Sequence, residues 1–186
     1  WNKIKKNYYI TLGCEVKEKK EKILDINNIN VSVIGRITEE KIPIIFLQKL
    51  KDNSKKFKNV FINFYGKKGN SSNDTQYNLI FDECINSENL NYKGYIEYEN
   101  MNKIYENTDI LLIPSKFETG SFTCLEAFSY QIPVIARNCY GLKNLITNNK
   151  TGYLLDNDDE IISKIENLKK DKIFLNKNFI YNESLK

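Results

Sequence analysis

The sequence predicts an open α/β domain with a mainly parallel sheet and helices on both faces. From Asn30 onward, six short apolar runs alternate with stretches of helical periodicity. Crossover connections between parallel strands produce that alternation. Each run is apolar almost throughout instead of alternating, as expected of a strand covered on both faces. A chain of 186 residues is long enough for one such domain. At that size ~70 % of the surface of the unfolded chain can be buried, so no staple is needed.

The first expected strand, Val31–Ile34, stops at Gly35 and leads to a helix over 42–53. Val60–Tyr65 follows, with a helix over 74–86 behind it. Tyr92–Ile96 precedes a helix over 99–107, and Asp109–Ile113 runs through Pro114 toward a helix over 122–130. Pro133–Ala136 precedes a helix over 142–148, and Gly152–Leu155 precedes one over 158–170. That last helix carries the clearest pattern. Ile161, Ile162, Ile165 and Leu168 share a face, while Asp158 and Asp159 open it and Lys169 and Lys170 close it, the order the macrodipole favours. Residues 1–28 read as a lead-in segment, with the charged run from Lys17 to Lys22 a solvated helix face. The domain itself is expected over 29–186. A start at Trp1 without an initiating Met reads as a piece of a longer protein.

Composition removes several classes of function. The chain has no histidine, which excludes His-based triads, His metal sites and imidazole proton shuttles from its own chemistry. Cys14, Cys84, Cys124 and Cys139 lie far apart without a C-x-x-C pair, so zinc knuckles and thioredoxin-like centres find no support. They read as small hydrophobes in a protein of a reducing, cytoplasmic compartment. A net charge of +4 and aromatics that form no basic–aromatic stripe argue against a nucleic-acid partner. Only two arginines occur, Arg36 and Arg137. Arg137 is assigned to surface or salt-bridge duty.

In open α/β sheets ligands bind beyond the carboxyl ends of the strands, so the loops there carry the candidates. Gly35-Arg36-Ile37-Thr38-Glu39-Glu40-Lys41 sets a guanidinium and an ammonium at the end of the first strand. Together they suit a diphosphate; the same loop also reads as two solvent-exposed cations beside Glu39 and Glu40. The loop after Asp109–Ile113 continues Pro114-Ser115-Lys116-Phe117-Glu118-Thr119-Gly120-Ser121-Phe122-Thr123-Cys124-Leu125-Glu126. Gly120 allows close backbone approach, and Ser121 or Thr123 can cap the helix whose free N–H groups favour an anion. Glu118 and Glu126 flank that anion site, where carboxylates suit sugar hydroxyls better than phosphate.

With these segments in order ("VIGRITEEK", "FYGKKG", "YKGYI", "DILLIPSKFETGSFTCLEA", "PVIA", "TGYLL"), the chain resembles the C-terminal, donor-binding domain of GT-B-type retaining glycosyltransferases. These are the family-four group with the E-x7-E motif, and the likeness runs from about Asn30 to Lys170. The resemblance implies a Rossmann-like domain, one half of a GT-B fold, that binds a UDP- or GDP-linked sugar without a metal or other cofactor. It implies that Arg36 and Lys41 hold the diphosphate and stabilise the leaving group, and that Glu118 accepts from hydroxyls of the donor sugar. Amides around Gly120, Ser121, Phe122 and Thr123 would meet the phosphates, Glu126 the ribose hydroxyls, and the backbone of Ile96 the base.

The acceptor-binding N-terminal domain is then expected before Trp1, with the 186 residues alone binding a nucleotide without transferring sugar. The whole enzyme would be cytoplasmic, peripheral on a membrane where its acceptor is lipid-linked. The chain departs from the family at Ile42 for glycine, at Thr119-Gly120-Ser121, at Tyr140-Gly141, at Asn144, and in a "GKKG" turn one residue longer than usual. These departures keep two other readings open: a degenerate nucleotide-binding scaffold, and the donor-site subunit of a two-chain transferase.

Overall fold

The computed structural model describes residues 25–171. The run from Lys17 to Lys22, Cys14 and most of the 1–28 lead-in lie outside the described residues, as do residues 172–186 of the expected domain. One six-stranded sheet is formed by β1 (Ile29–Ile34), β2 (Val60–Tyr65), β3 (Leu90–Gly94), β4 (Ile110–Ile113), β5 (Val134–Arg137) and β6 (Gly152–Leu155). Its order is β3-β2-β1-β4-β5-β6, and every neighbouring pair is parallel. The helices are α1 (Ile44–Asn53), α2 (Ser72–Cys84), α3 (Met101–Asn107), α4 (Phe122–Ser129) and α5 (Asp158–Glu166).

The strands point alternate residues to opposite faces, and each face has its own core. Ile110 and Leu112 of β4 and Ile135 of β5 join Val31, Ile62 and Phe64 beneath α1, α2 and α5. Leu111, Ile113, Val134 and Ala136 instead join Tyr105 of α3 and Cys124, Ala127 and Phe128 of α4. Two-sided burial is therefore what makes these runs apolar throughout, and helices on both faces follow from it. Among the described residues no helix is long and apolar enough to cross a membrane.

Helix starts follow local chemistry. α1 begins after Pro43, whose φ of −60° and ψ of 141° are extended, and the freed amide of Ile44 donates to Glu39 Oε2 at 2.8 Å. α2 begins two residues before 74 because Ser71 caps it: the Ser71 amide donates to Asp74 Oδ2 at 2.9 Å. α5 is capped by Asn157, whose Oδ1 accepts from the Glu160 amide at 3.0 Å. It stops at Glu166, and a 3-10 turn over Leu168–Lys170 completes the expected segment.

Two expected elements are corrected. The third strand is Leu90–Gly94, not Tyr92–Ile96: the chain turns away at Gly94, with φ at +82°. The helix expected over 142–148 is a 3-10 turn, Tyr140–Leu142, continued by a turn over 143–145. A polar side chain there takes a backbone amide that a helix would need: the Thr147 amide, which a helix would give to the Lys143 carbonyl, donates to Thr151 Oγ1 at 2.9 Å.

Beneath the β2–β3 side, the Phe81 ring meets Phe64 and Tyr92 edge-on, each at 5.5 Å between centroids. Phe81 is fully buried, and edge-to-face packing adds to its area burial. Phe81→Ala is expected to lower unfolding free energy by about 3–5 kcal/mol, measured as a fall in the urea midpoint at unchanged slope.

Candidate functional site

The strand order reverses between β1 and β4, so the connections from their carboxyl ends leave in opposite directions and a crevice opens between them. A cavity of about 270 Å³ fills it. Arg36, Lys41, Glu118, Gly120, Ser121, Phe122, Thr123 and Glu126 all line it. Ile96 does not line it; it sits half-buried in the loop that follows β3. Ile42 is buried against the cavity, and its carbonyl accepts from the Tyr77 hydroxyl at 2.8 Å.

The two lining loops are tied to one another. Lys41 Nζ lies 2.9 Å from Glu118 Oε1, with the lysine side chain 24 % exposed and the glutamate 10 %. Such a sheltered pair is screened far less than a surface pair. The Lys116 amide donates to the Glu40 carbonyl at 3.3 Å, and Ser115 Oγ to the Lys41 carbonyl at 3.3 Å. Lys116 Nζ also meets Glu39 Oε1 at 2.9 Å. Arg36 is different: its side chain is 67 % exposed and reaches Glu40 at 3.7 Å. The cavity thus has one cation held in place and one at its mouth.

α4 points its amino end at this space. Ser121 Oγ accepts from the Cys124 amide at 3.2 Å, the N-cap bond expected of serine. The amides of Phe122 and Thr123 precede the first intrahelical bond and have no helical acceptor. One turn on, Glu126 Oε2 accepts from the Tyr105 hydroxyl at 2.5 Å. Tyr105 is buried and stacks on Tyr130 at 5.1 Å and 19°. Burial, and then the hydrogen bond to Glu126, push the Tyr105 phenol far above its ordinary pKa.

Two glycines outside the predicted set support the loops. A Cβ on Gly66 would overlap the carbonyl of Gly35, so only glycine lets the loop after β2 lie against the loop after β1. There the Ile37 amide donates to the Lys67 carbonyl at 2.9 Å, and the Gly69 amide to the Ile37 carbonyl at 3.2 Å. Gly141 plays the same part beneath Glu118, whose carbonyl accepts from the Gly141 amide at 2.8 Å and would be struck by a Cβ there. Tyr105 bears no mark in the sequence, because nothing local reveals that its hydroxyl meets a carboxylate 21 positions on. Arg137 has the salt-bridge duty assigned to it: it pairs with Asp158, and its Nε donates to the Pro114 carbonyl at 3.0 Å.

An open parallel sheet with a charged cavity at its switch point, met by a helix amino end, defines an open, Rossmann-like α/β domain. Its family is plain from comparison. The chain belongs to the glycosyl transferases group 1 family, whose model matches residues 16–185. It is 30 % identical over 167 residues to a Klebsiella pneumoniae protein described as "Uncharacterized 41.2 kDa protein in cps region", covering 85 % of this chain and 43 % of that one. It is 29 % identical over 161 residues to the Escherichia coli UDP-Gal:alpha-D-GlcNAc-diphosphoundecaprenol alpha-1,3-galactosyltransferase, covering 83 % and 40 %. The chain therefore spans less than half the length of these curated relatives. Among solved structures, a variant of S. aureus TarM in complex with fondaparinux, alpha-GlcNAc-glycerol and UDP shares the fold. Its TM-score is 0.70 at 20 % identity, covering 95 % of this chain and 35 % of that one.

Gly66→Ala is expected to cost about 1–3 kcal/mol of stability. Its amide NMR shifts should change most at Gly35, Arg36 and Ile37, across the contact and not along the chain. Shifts confined to the neighbours of residue 66 would contradict the loop-on-loop support.

Proposed function

We propose that residues 29–186 form the donor-binding half of a retaining glycosyltransferase that moves a sugar from a nucleoside-diphosphate sugar to an acceptor. One observation carries this reading: a single cavity between β1 and β4 gathers Arg36, Lys41, the amino end of α4, Glu118 and Glu126. The diphosphate lies between the two cations and the free amides of Phe122 and Thr123, where charge and macrodipole both favour an anion. Lys41, held by Glu118 in the ligand-free site, turns to the phosphate, and the Glu118 carboxylate is left to accept from hydroxyls of the sugar. Glu126 accepts from the ribose, and Ile96 offers backbone to the base from the loop after β3.

In the transfer itself the bond from the anomeric carbon to the phosphate oxygen breaks. The acceptor oxygen bonds to the same face of that carbon, and the acceptor's proton passes to the departing diphosphate. Negative charge grows on the diphosphate as it leaves, and Arg36 and Lys41 stabilise it there, so no metal is invoked. A UDP donor is favoured by what similar proteins are called: the E. coli relative uses UDP-Gal, and the TarM complex holds UDP. The acceptor site is read as lying outside these residues, since the matched span is 40–43 % of the curated relatives. The 186 residues alone then bind nucleotide without turnover. A cytoplasmic enzyme, peripheral on a membrane, fits a lipid-linked acceptor such as the diphosphoundecaprenol in the E. coli relative's name.

Calorimetric titration with UDP, GDP and ADP is expected to show saturable binding of one of them, weakened ~10-fold or more in Glu126→Ala. A folded protein that binds none of the three would overturn the reading. In the full-length enzyme Lys41→Ala is expected to lower kcat ~100–1000-fold, the scale of losing one preorganised charge-stabilising group. A change confined to KM would assign Lys41 to uniform binding instead.

A further inference from the structure

We infer that Tyr105 is the positioning residue for Glu126, orienting its carboxylate toward a vicinal diol and thereby selecting ribonucleotides over 2′-deoxyribonucleotides. The inference rests on the donor-site reading above and deepens it.

A glutamate side chain on a half-buried helix face has several rotamers, and fixing one costs conformational entropy. Here the cost is met before any ligand arrives. Tyr105 Oη donates to Glu126 Oε2 at 2.5 Å, a short charge-assisted bond. The ring that presents this hydroxyl has nowhere to go: it is 2 % exposed and lies against Tyr130 at 5.1 Å. Tyr130 is itself tied back to α3, its hydroxyl donating to Asn102 Oδ1 at 2.5 Å. Since burial and the carboxylate together raise the phenol's pKa, Tyr105 keeps its proton and remains a donor throughout the neutral range. One oxygen of Glu126 is thus occupied from the protein side, and the carboxylate's remaining acceptor capacity is what a ligand meets, because Glu126 lines the cavity. A carboxylate fixed this way suits two adjacent hydroxyls and loses a partner when one is absent. Sites built to hydrogen-bond a hydroxyl discriminate strongly against analogues that lack it.

The test measures dissociation constants of UDP and 2′-deoxy-UDP, or of the guanosine pair should GDP bind better, for the wild type, Tyr105→Phe, Glu126→Gln and the double variant. The wild type is expected to prefer the ribonucleotide by ~10-fold or more. Tyr105→Phe, which keeps the stacked ring and removes one oxygen, should weaken the ribonucleotide ~10-fold and the deoxy analogue less than ~3-fold. In the Glu126→Gln background the same change should add less than ~2-fold, the non-additivity expected of residues acting as a unit. Near-UV circular dichroism checks the fold, and Glu126→Asp, which withdraws the carboxylate from the phenol, is a second arm expected to lower the same ratio. An unchanged ratio in Tyr105→Phe, whether both affinities hold or fall together, overturns the inference, as does additivity. A wild type that binds no nucleoside diphosphate overturns the donor-site reading itself, a distinguishable failure.

Discussion

The pairing of β1 with β4 is the constraint from which the rest of the site follows. These strands are far apart in sequence, yet their registered contact, Val31 to Ile110 and Ser32 to Leu111, sets the loops after them side by side. The sheet then continues outward through β2 and β3 on one side and β5 and β6 on the other. Among the described residues, the space at the carboxyl edge of the junction is lined by the loops after β1 and β4 and the start of α4. Polar groups reinforce the junction from below: the Asn30 amide donates to Asp109 Oδ2 at 2.9 Å, and Ser32 and Thr108 share a hydrogen bond of 2.7 Å. Buried polar groups are tolerated only when satisfied, and these are satisfied across the same strand pair that makes the crevice.

What the junction holds is a balance of charge. An unpaired ammonium sheltered as Lys41 is would suffer from desolvation, and so would the nearly buried carboxylate of Glu118. Each offsets the other in the ligand-free protein, at 2.9 Å. On the proposed donor-site reading, an entering polyanion with sugar hydroxyls replaces both partners at once: phosphate for the carboxylate at Lys41, hydroxyl donors for the ammonium at Glu118. A ligand offering only one of these would leave the other group buried without a partner. On that reading the ion pair is also a filter for the composite chemistry of a sugar diphosphate.

The sequence was legible wherever one physical demand dominated. Two-sided burial wrote itself into Val60–Tyr65 and Gly152–Leu155, whose observed bounds equal the expected ones. That Arg36, Lys41 and Glu118 in the loops and Glu126 one turn into α4 would gather at one place was also legible, since strand ends locate loops and charge there is conspicuous. Reading failed where demands competed. Over 142–148 a helix was expected, but the Thr147 amide goes to Thr151 Oγ1 and the chain turns at Asn149, whose φ is 62°. The third strand was displaced because Gly94 turns the chain before Tyr95. Support by Gly66, Gly141 and Tyr105 was hidden for a further reason: each acts on a residue distant in sequence, through a contact that only the folded chain brings about.

The two carboxylates of the site illustrate how one strand–loop–helix unit yields different chemistry at nearby positions. Glu118 sits in the loop and is held by a cation, whereas Glu126 sits on α4 and is held by a neutral phenol. On the proposed donor-site reading, a stronger anion competes with Glu118 for its cation, so this carboxylate is the exchangeable one. The buried Tyr105 phenol keeps its hydrogen bond to Glu126, and on the same reading this carboxylate is the fixed one. The difference arises from what lies across the cavity wall: the loop of β1 faces Glu118, while α3, the helix that leads into β4, backs Glu126. The different partners of the two carboxylates are consequences of topology, because Glu118 faces the loop after β1 while Glu126 is backed by a helix packed on the sheet.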